Sequence, residues 1–515
     1  MTVQQMGKSD SERLYNQKKL SLVLDLDHTL VHATSDQRAR QFLAQHDDVR
    51  AIRLPVLEGA EPGTPTNPQL VNVTSQHFVK LRPHINEFLN SVQSTYELTV
   101  YTAGTRQYAE EICMLLCRSL VGSKRDIDDI EHLRYQVRVA EGEYAKHSQL
   151  KNDDNKREIE QVDRDSIDVD EGGKEPPKKR KKITFGFSEA SNDQGAQKSD
   201  HMTQAELESM QAELRQADKL EGKARELRKT IFASRVFSRT DVGDLGRDVK
   251  SLKRIFPCGG TMAAVVDDRE DVWANAKDNS RSTIQGEPPD NLLLVRPYHW
   301  QPLVGFADIN NAAGADLSGS GPSKETAPGS ESDVQLLWTK GILDNLYNQY
   351  YGQSAAGNRQ TVPDTLKQMR SRVLKDSKMV LSGLIPLHKQ IQSKDGGAPR
   401  PPMVRYAQTL GATIQDEVGE GVTQVVAAKD GSAKAIRART IPGCSLVKPG
   451  WLMECFWSLS KRDTAPFLMG KGPPASSSKV ASMHGVLRES TVDNSSNESD
   501  EDDFAAEFED EMMNG

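Results

Sequence analysis

Two aspartates, Asp25 and Asp27, follow directly on the apolar run Leu20 to Leu24. An unpaired carboxylate at the end of a buried strand is costly, so the pair calls for a reason. A strand-end Asp that accepts bonds from turn amides would be a purely structural one. The chemical one is phosphoryl transfer, which needs a nucleophile, a proton donor, a cation and fixed donors for the phosphoryl oxygens. The stretch DLDHT, Asp25 to Thr29, fits the pattern DxDx[T/V], and the chain supplies a candidate for each remaining part. Thr102 closes the strand-like YELTVY, Lys250 lies in GRDVKSLKRIF, and Asp267 and Asp268 end AAVVDD. Ends of parallel strands meet along one sheet edge, where such folds bind ligands. Four carboxylates gathered there repel one another and a phosphate, which asks for a divalent cation, and hard oxygen ligands select magnesium.

The elements that must position these residues are legible as a pattern. From Lys19 to Arg118 the chain alternates an apolar strand, the strand FVKLRP, a helix around INEFLNSV, the strand YELTVY and a helix TRQYAEEICMLLC. That alternation predicts an α/β domain with a mainly parallel sheet. It is interrupted over 119–230 by a stretch dense in Lys, Glu, Asp and Gln, the first part with little apolar periodicity. The second part carries a capping box, Thr203 with Glu206, and an apolar face of Leu207, Met210, Leu214 and Ala217, which predicts a long helix. The alternation resumes over 231–309, through RVFSRTD, the strand TMAAVVDD and NLLLVRPYHW. A Gly/Ser/Pro-rich linker at 310–332, a helical segment at 333–372 and a second small α/β unit at 373–468 follow. Residues 1–18 read as an N-terminal extension and 469–515 as an acidic, disordered tail.

In this order, LVLDLDHTLVHAT, FVKLRPHINEFL, VYTAGTRQYAEEI, RVFSRTD, VKSLKRIFPCGGTMAAVVDDREDVW and VRPYHW resemble the haloacid dehalogenase superfamily, and within it the FCP-homology phosphatases. The resemblance covers most of 19–118 and 231–309. It implies that Asp25 is the nucleophile of an aspartyl phosphate and that Asp27 protonates the leaving Ser or Thr oxygen, then activates water. Thr102 and Lys250 would hold the phosphoryl group. Asp25, Asp27 through its backbone carbonyl, and Asp268 would ligate magnesium, with Asp267 beside them, while Thr29 secures the turn. Arg239 and Arg269 are candidates for substrate phosphates, with structural ion pairs as the alternative for each.

VLSGLIP, YAQTLGATI, VTQVVAA, SAKAIRA and SLVKPGWLMECFW resemble a BRCT domain, with Gly411, Ala412 and Trp451 as structural marks. Ser382, Gly383 and Lys434 match the phosphopeptide-binding positions of some such domains, and protein contact or packing on the catalytic domain is the alternative. A catalytic domain of this kind followed by one BRCT domain and an acidic tail resembles the transcription-factor-IIF-associating phosphatases of the RNA polymerase II carboxy-terminal domain. In the tail, Phe504, Phe508 and Met512 recur at i, i+4 and i+8 on an acidic segment. By that resemblance this segment docks on transcription factor IIF, through one of its subunits. A generic solubilising tail is the alternative.

Composition fits this reading. With 36% apolar, 6% aromatic and 27% charged residues the chain is too polar to fold continuously. Residues 491–515 hold ten acidic and no basic residues, so removing that −10 from the formal −8 leaves about +2 for the rest. Five cysteines without a CxxC pair, an N-terminus without an apolar signal core and no membrane-length apolar run predict a reduced intracellular protein. PPKKRKK at 176–182 reads as a nuclear localisation signal, and nothing indicates base-specific nucleic-acid binding. The expected activity is a magnesium-dependent protein serine/threonine phosphatase acting on the polymerase heptad repeats. A nuclear phosphatase for other phosphoproteins, and a weakly catalytic transcription scaffold, are the alternatives. A scaffold would be free to lose the reactive set, yet Asp25, Asp27, Thr102, Lys250, Asp267 and Asp268 are all present.

Overall fold

A computed structural model describes residues 3–57, 70–165, 203–242, 249–256, 260–274, 286–301, 303–305, 333–354, 360–385 and 400–470. The basic cluster at 176–182, the linker and the tail with Phe504, Phe508 and Met512 lie outside the described residues. Two compact units result: one joins the residues up to 120 with those from 224 onward, the other is 121–223.

The larger unit is built on a five-stranded sheet of β1 (Leu20–Leu24), β5 (Tyr96–Tyr101), β6 (Val236–Phe237), β7 (Ala263–Asp267) and β8 (Leu292–Leu294). The strands run in the order β6-β5-β1-β7-β8, parallel throughout. β1 takes the centre because every one of its residues is buried, the run suited to a strand covered on both faces. Leu24 pairs with Val100 on one side and Val266 on the other. The strand ends are therefore level, which sets Asp25, Thr102 and Asp267 along one edge.

The segment FVKLRP does not join this sheet. It ends β4 (Leu70–Leu81), which pairs antiparallel with β2 (Val31–Thr34) and β3 (Val49–Leu57) in a separate three-stranded sheet. A strand followed by a helix looks like a parallel βα unit wherever its partners lie, and here the partners are two strands the apolar pattern did not reveal. The turn from β1 into β2 is what carries Asp27, His28 and Thr29.

The C-terminal part of this unit has its own four-stranded parallel sheet, made of β9 (Lys378–Ser382), β10 (Thr413–Ile414), β11 (Gln424–Ala427) and β12 (Ser445–Val447) in the order β10-β9-β11-β12. Trp451, fully buried on the helix Gly450–Ser458, donates its indole N–H to the Arg462 carbonyl at 3.0 Å. Gly411 has φ +93°, and a Cβ there would lie 2.1 Å from the Ser371 carbonyl oxygen, so only glycine permits the turn. Two helices, Gln335–Ser354 and Val362–Ser371, lead into this region; the second starts on a Thr361–Asp364 capping box.

In the smaller unit, Ile127–Asp165 is a helix of 39 residues that the charge-rich sequence concealed. Ile130, Leu133, Val137 and Ala140 of this helix are buried, and Ile130 and Leu133 cluster with Ala217 and Leu214 of the helix Gln204–Ile231. The Thr203–Glu206 box caps that second helix, with the Thr203 N–H donating to Glu206 at 2.9 Å and the Glu206 N–H to the Thr203 hydroxyl at 3.2 Å. No described helix is long and apolar enough to cross a membrane.

Candidate active site

The carboxyl edge of the larger sheet gathers the six residues singled out in the sequence, five at or just past strand ends and Lys250 from a loop. Asp25, immediately after β1, is held by its N–H to the Val266 carbonyl at 3.0 Å, and Thr102 by its N–H to the Phe237 carbonyl at 3.0 Å. Lys250 Nζ donates to Asp25 Oδ1 at 2.7 Å and to Asp267 Oδ2 at 2.6 Å. Its own backbone N–H is fixed on the Val272 carbonyl at 2.8 Å. Asp267 also accepts from the Trp273 indole at 2.9 Å and from the Arg269 N–H at 2.9 Å. Thr29 ties two loops together: its hydroxyl donates to Asp268 Oδ1 and accepts from the Asp268 N–H, both at 3.1 Å. That is more than the turn-securing role expected from sequence.

Several functional contacts were not visible in the sequence. The Tyr108 hydroxyl donates to Asp27 Oδ1, and Gly104 makes room for this ring, since a Cβ there would meet it at 2.5 Å. Fully buried Arg82 donates to the carbonyls of His28 at 3.3 Å and Thr29 at 2.9 Å, with Asp333 balancing its charge at 3.0 Å. Glu270 pairs with Arg405 of the helix Pro402–Thr409, a largely buried ion pair. The tyrosine at i+6 from Thr102 and the arginine of KLRP were the available signals, but neither spacing names its partner.

The other candidates are placed as follows. Arg239 flanks the Thr102 loop, its N–H bonding the Gly104 carbonyl at 3.0 Å. Arg269 is engaged by Asp271, with Nε to Oδ1 at 3.0 Å, the ion-pair alternative. Ser382 shares a hydrogen bond of 2.8 Å with Ser432, whose hydroxyl caps the short helix carrying Lys434; Gly383 follows with φ +65°.

Electrostatically the site is short of positive charge. A ligand oxygen from each of Asp25, Asp267 and Asp268 lies within 4.8 Å of the others, against one ammonium. Burial works against the charge on Lys250, but Asp25 and Asp267 outweigh it and hold the group protonated. Burial, offset in part by Lys250 and reinforced by Asp267 and Asp27, pushes Asp25 up to about 7. Burial and the Asp267 charge push Asp268 well above the usual carboxylate range. Oxygen donors carrying this excess of negative charge fit a hard divalent cation.

The sign of the linkage follows. In metal-free protein the folded state binds more protons than the unfolded state between pH 3.8 and about 7 at Asp25, so stability falls as pH rises through that window. A cation displaces those protons. Thermal unfolding is expected to show a melting temperature that drops from about pH 4 to 7 in EDTA, and a magnesium-induced increase that grows with pH. An increase of equal size at both ends of the window would contradict the assignment.

Residues 20–166 match the model of the family described as NLI interacting factor-like phosphatase. Over that stretch the chain is similar to NLI interacting factor-like phosphatases. The match contains Asp25, Asp27 and Thr102, while Lys250, Asp267 and Asp268 join from beyond it. Relatives extend the likeness across the chain. It is 22% identical to an RNA polymerase II C-terminal domain phosphatase of Caenorhabditis elegans, over 91% of this chain and 48% of that protein. It is 23% identical to the one of Schizosaccharomyces pombe, over 91% and 60%. The one of Saccharomyces cerevisiae is 22% identical over 94% and 62%. The chain thus spans about half to three fifths of the length of these relatives. The solved structure of fission yeast Fcp1 bound to beryllium fluoride, an RNA polymerase II CTD phosphatase, shares the fold at TM-score 0.52 and 20% identity, covering 90% of this chain and all of that one.

Arg405 gives the carboxyl edge of the larger sheet a support from the second α/β unit. Glu270 lies two residues after Asp268, so the Arg405 pair fixes the acidic loop from outside. Arg405→Ala is expected to raise the magnesium concentration for half-maximal hydrolysis of a small aryl phosphate roughly tenfold, in line with the loss of a group that orients metal ligands. An unchanged magnesium titration would show that the pair holds the two parts together and does nothing for the loop.

Proposed function

We propose that this chain is a magnesium-dependent protein serine/threonine phosphatase that dephosphorylates the carboxy-terminal heptad repeats of RNA polymerase II. The observation that carries the reading is the buried set Asp25, Lys250, Asp267 and Asp268 beside an Asp27 held by Tyr108. The names of the relatives supply the substrate class.

Asp25 attacks phosphorus, and the bond to the serine or threonine oxygen breaks as Asp27 gives that oxygen its proton. This leaves an aspartyl phosphate on Asp25. Asp27, now a carboxylate, takes a proton from water as the water attacks phosphorus; inorganic phosphate departs and the Asp25 carboxylate is restored. The Tyr108 hydroxyl keeps one Asp27 oxygen in place through both steps. Lys250 and Thr102 hold phosphoryl oxygens; the Thr102 hydroxyl accepts from the Gly104 N–H at 3.0 Å, which leaves its own proton for the substrate. Asp25, Asp268 and the Asp27 carbonyl would hold magnesium, with Asp267 alongside, and the ion supplies charge neutralisation for the phosphoryl group.

The same reading places the protein in the nucleus through residues 176–182, and docks Phe504, Phe508 and Met512 on transcription factor IIF. The test is phosphate release from phosphoserine heptad peptides and from unrelated phosphopeptides, with magnesium and with EDTA. Preference for heptad peptides that depends on the metal supports the reading. Equal rates on all peptides would favour a phosphatase for other phosphoproteins, and no release from any would favour the scaffold.

A further inference from the structure

Beside the carboxylates lies a cluster of a different chemistry. His28 sits between Asp27 and Thr29 with a left-handed backbone, φ +57°. His32 is on β2, and His299 lies in the segment after β8, which is anchored to the same turn by the Tyr298 N–H on the His28 carbonyl at 2.7 Å. The rings of His28 and His32 stack with centroids 5.4 Å apart and 17° between planes. His299 approaches His28 at 4.4 Å and His32 at 6.2 Å. One ring nitrogen from each residue lies within 4.8 Å of the other two.

Three imidazoles from positions 28, 32 and 299 thus face one another in the interior. His28 and His32 are buried and His299 is half-buried. Neither ring nitrogen of fully buried His32 makes a hydrogen bond of normal geometry among the described residues. The Tyr298 and Leu303 main chain still lies near enough to favour a ring proton. A histidine that ligates a metal commonly turns its second ring N–H to such a carbonyl. Burial holds His32 down at about 4, in the neutral form that binds metal. Buried polar nitrogens are normally satisfied, and an ion at the centre would satisfy His32.

We propose that His28, His32 and His299 form a second cation site, for a transition metal of the zinc class, adjoining the carboxylate cluster where His28 Nδ1 lies 3.9 Å from Asp268 Oδ2. Imidazole nitrogens suit zinc and its neighbours, whereas magnesium prefers oxygen. Zinc–nitrogen bonds of about 2.0–2.1 Å in a tetrahedron set donor atoms about 3.4 Å apart, so donors that lie within 4.8 Å of one another close by at most about 1.4 Å on binding. His299 is the more exposed member, the side from which the ion and a fourth, solvent ligand enter. Bound there, the ion joins the turn that carries Asp27 to the segment after β8.

The probe is cobalt(II) alone, titrated into the full chain carrying Asp25→Asn in excess magnesium, so that binding at the carboxylates does not interfere. One equivalent is expected to produce the intense visible absorption of tetrahedral cobalt, bleached by one equivalent of zinc. In the His299→Gln and His32→Asn variants the band is lost; His299→Gln, at the half-buried position, is expected to keep the melting temperature of the metal-free chain. Absence of the band in the parent chain, together with no zinc retained per chain after dialysis, overturns the site. So does a band that survives His299→Gln. Neither result bears on phosphate release, which the peptide panel tests independently.

Discussion

Asp25→Asn is expected to lower kcat for phosphate release by on the order of 10⁴-fold or more, because an amide cannot form the acyl phosphate. The same change removes one negative charge from a cluster that already exceeds its single ammonium. Metal-free Asp25→Asn protein at about pH 8 is therefore expected to melt no lower than wild type. Loss of activity with stability retained separates a nucleophile from a structural aspartate. Phosphate release at the wild-type rate would remove Asp25 from the reaction, and a large drop in melting temperature would return it to the strand-end structural role.

Lys250→Met should produce the opposite pairing, with both activity and stability falling. Removing the ammonium takes away a preorganised partner for the phosphoryl oxygens, on the order of 10²–10³-fold in kcat. It also strands two buried carboxylates, Asp25 and Asp267, that it bridges at 2.7 and 2.6 Å. Breaking a buried pair in this way costs roughly 3–5 kcal/mol. The cost has a pH signature: when the carboxylates can protonate they no longer need Lys250, so the loss is smaller at about pH 5 than at about pH 8. Denaturant unfolding at the two pH values measures this directly. A loss that is independent of pH would mean that Lys250 acts through packing and not through its charge.

Much of the site was legible because its residues sit where local rules put them. An apolar run of strand length followed by DxDxT, a second run ending at Thr102 and a third ending at Asp267 and Asp268 point to one sheet edge without any knowledge of pairing. The capping box at Thr203 and the glycine turn at Gly411 are equally local, and both are present. What the pattern could not supply were partners. FVKLRP reads as a strand, but its membership of an antiparallel sheet is set by β2 and β3, up to about 50 residues earlier. The helix Ile127–Asp165 was hidden because its sequence is dense in charged residues and its apolar residues are few.

The sequence by itself determined the reactive set and its order, since a strand end and the side chain it bears are fixed by adjacent residues. Tertiary structure alone decided that Lys250 bridges Asp25 and Asp267, that Tyr108 holds Asp27, that Arg82 gathers the carbonyls of the turn and that three histidines meet beside it. Some of those contacts join near neighbours brought together by turns, and others join residues hundreds of positions apart that sheet register sets side by side. Hydrogen bonds and charges act over a few ångströms in space, whatever their distance along the chain, so the chemistry of this edge exists only once the sheet has closed around it.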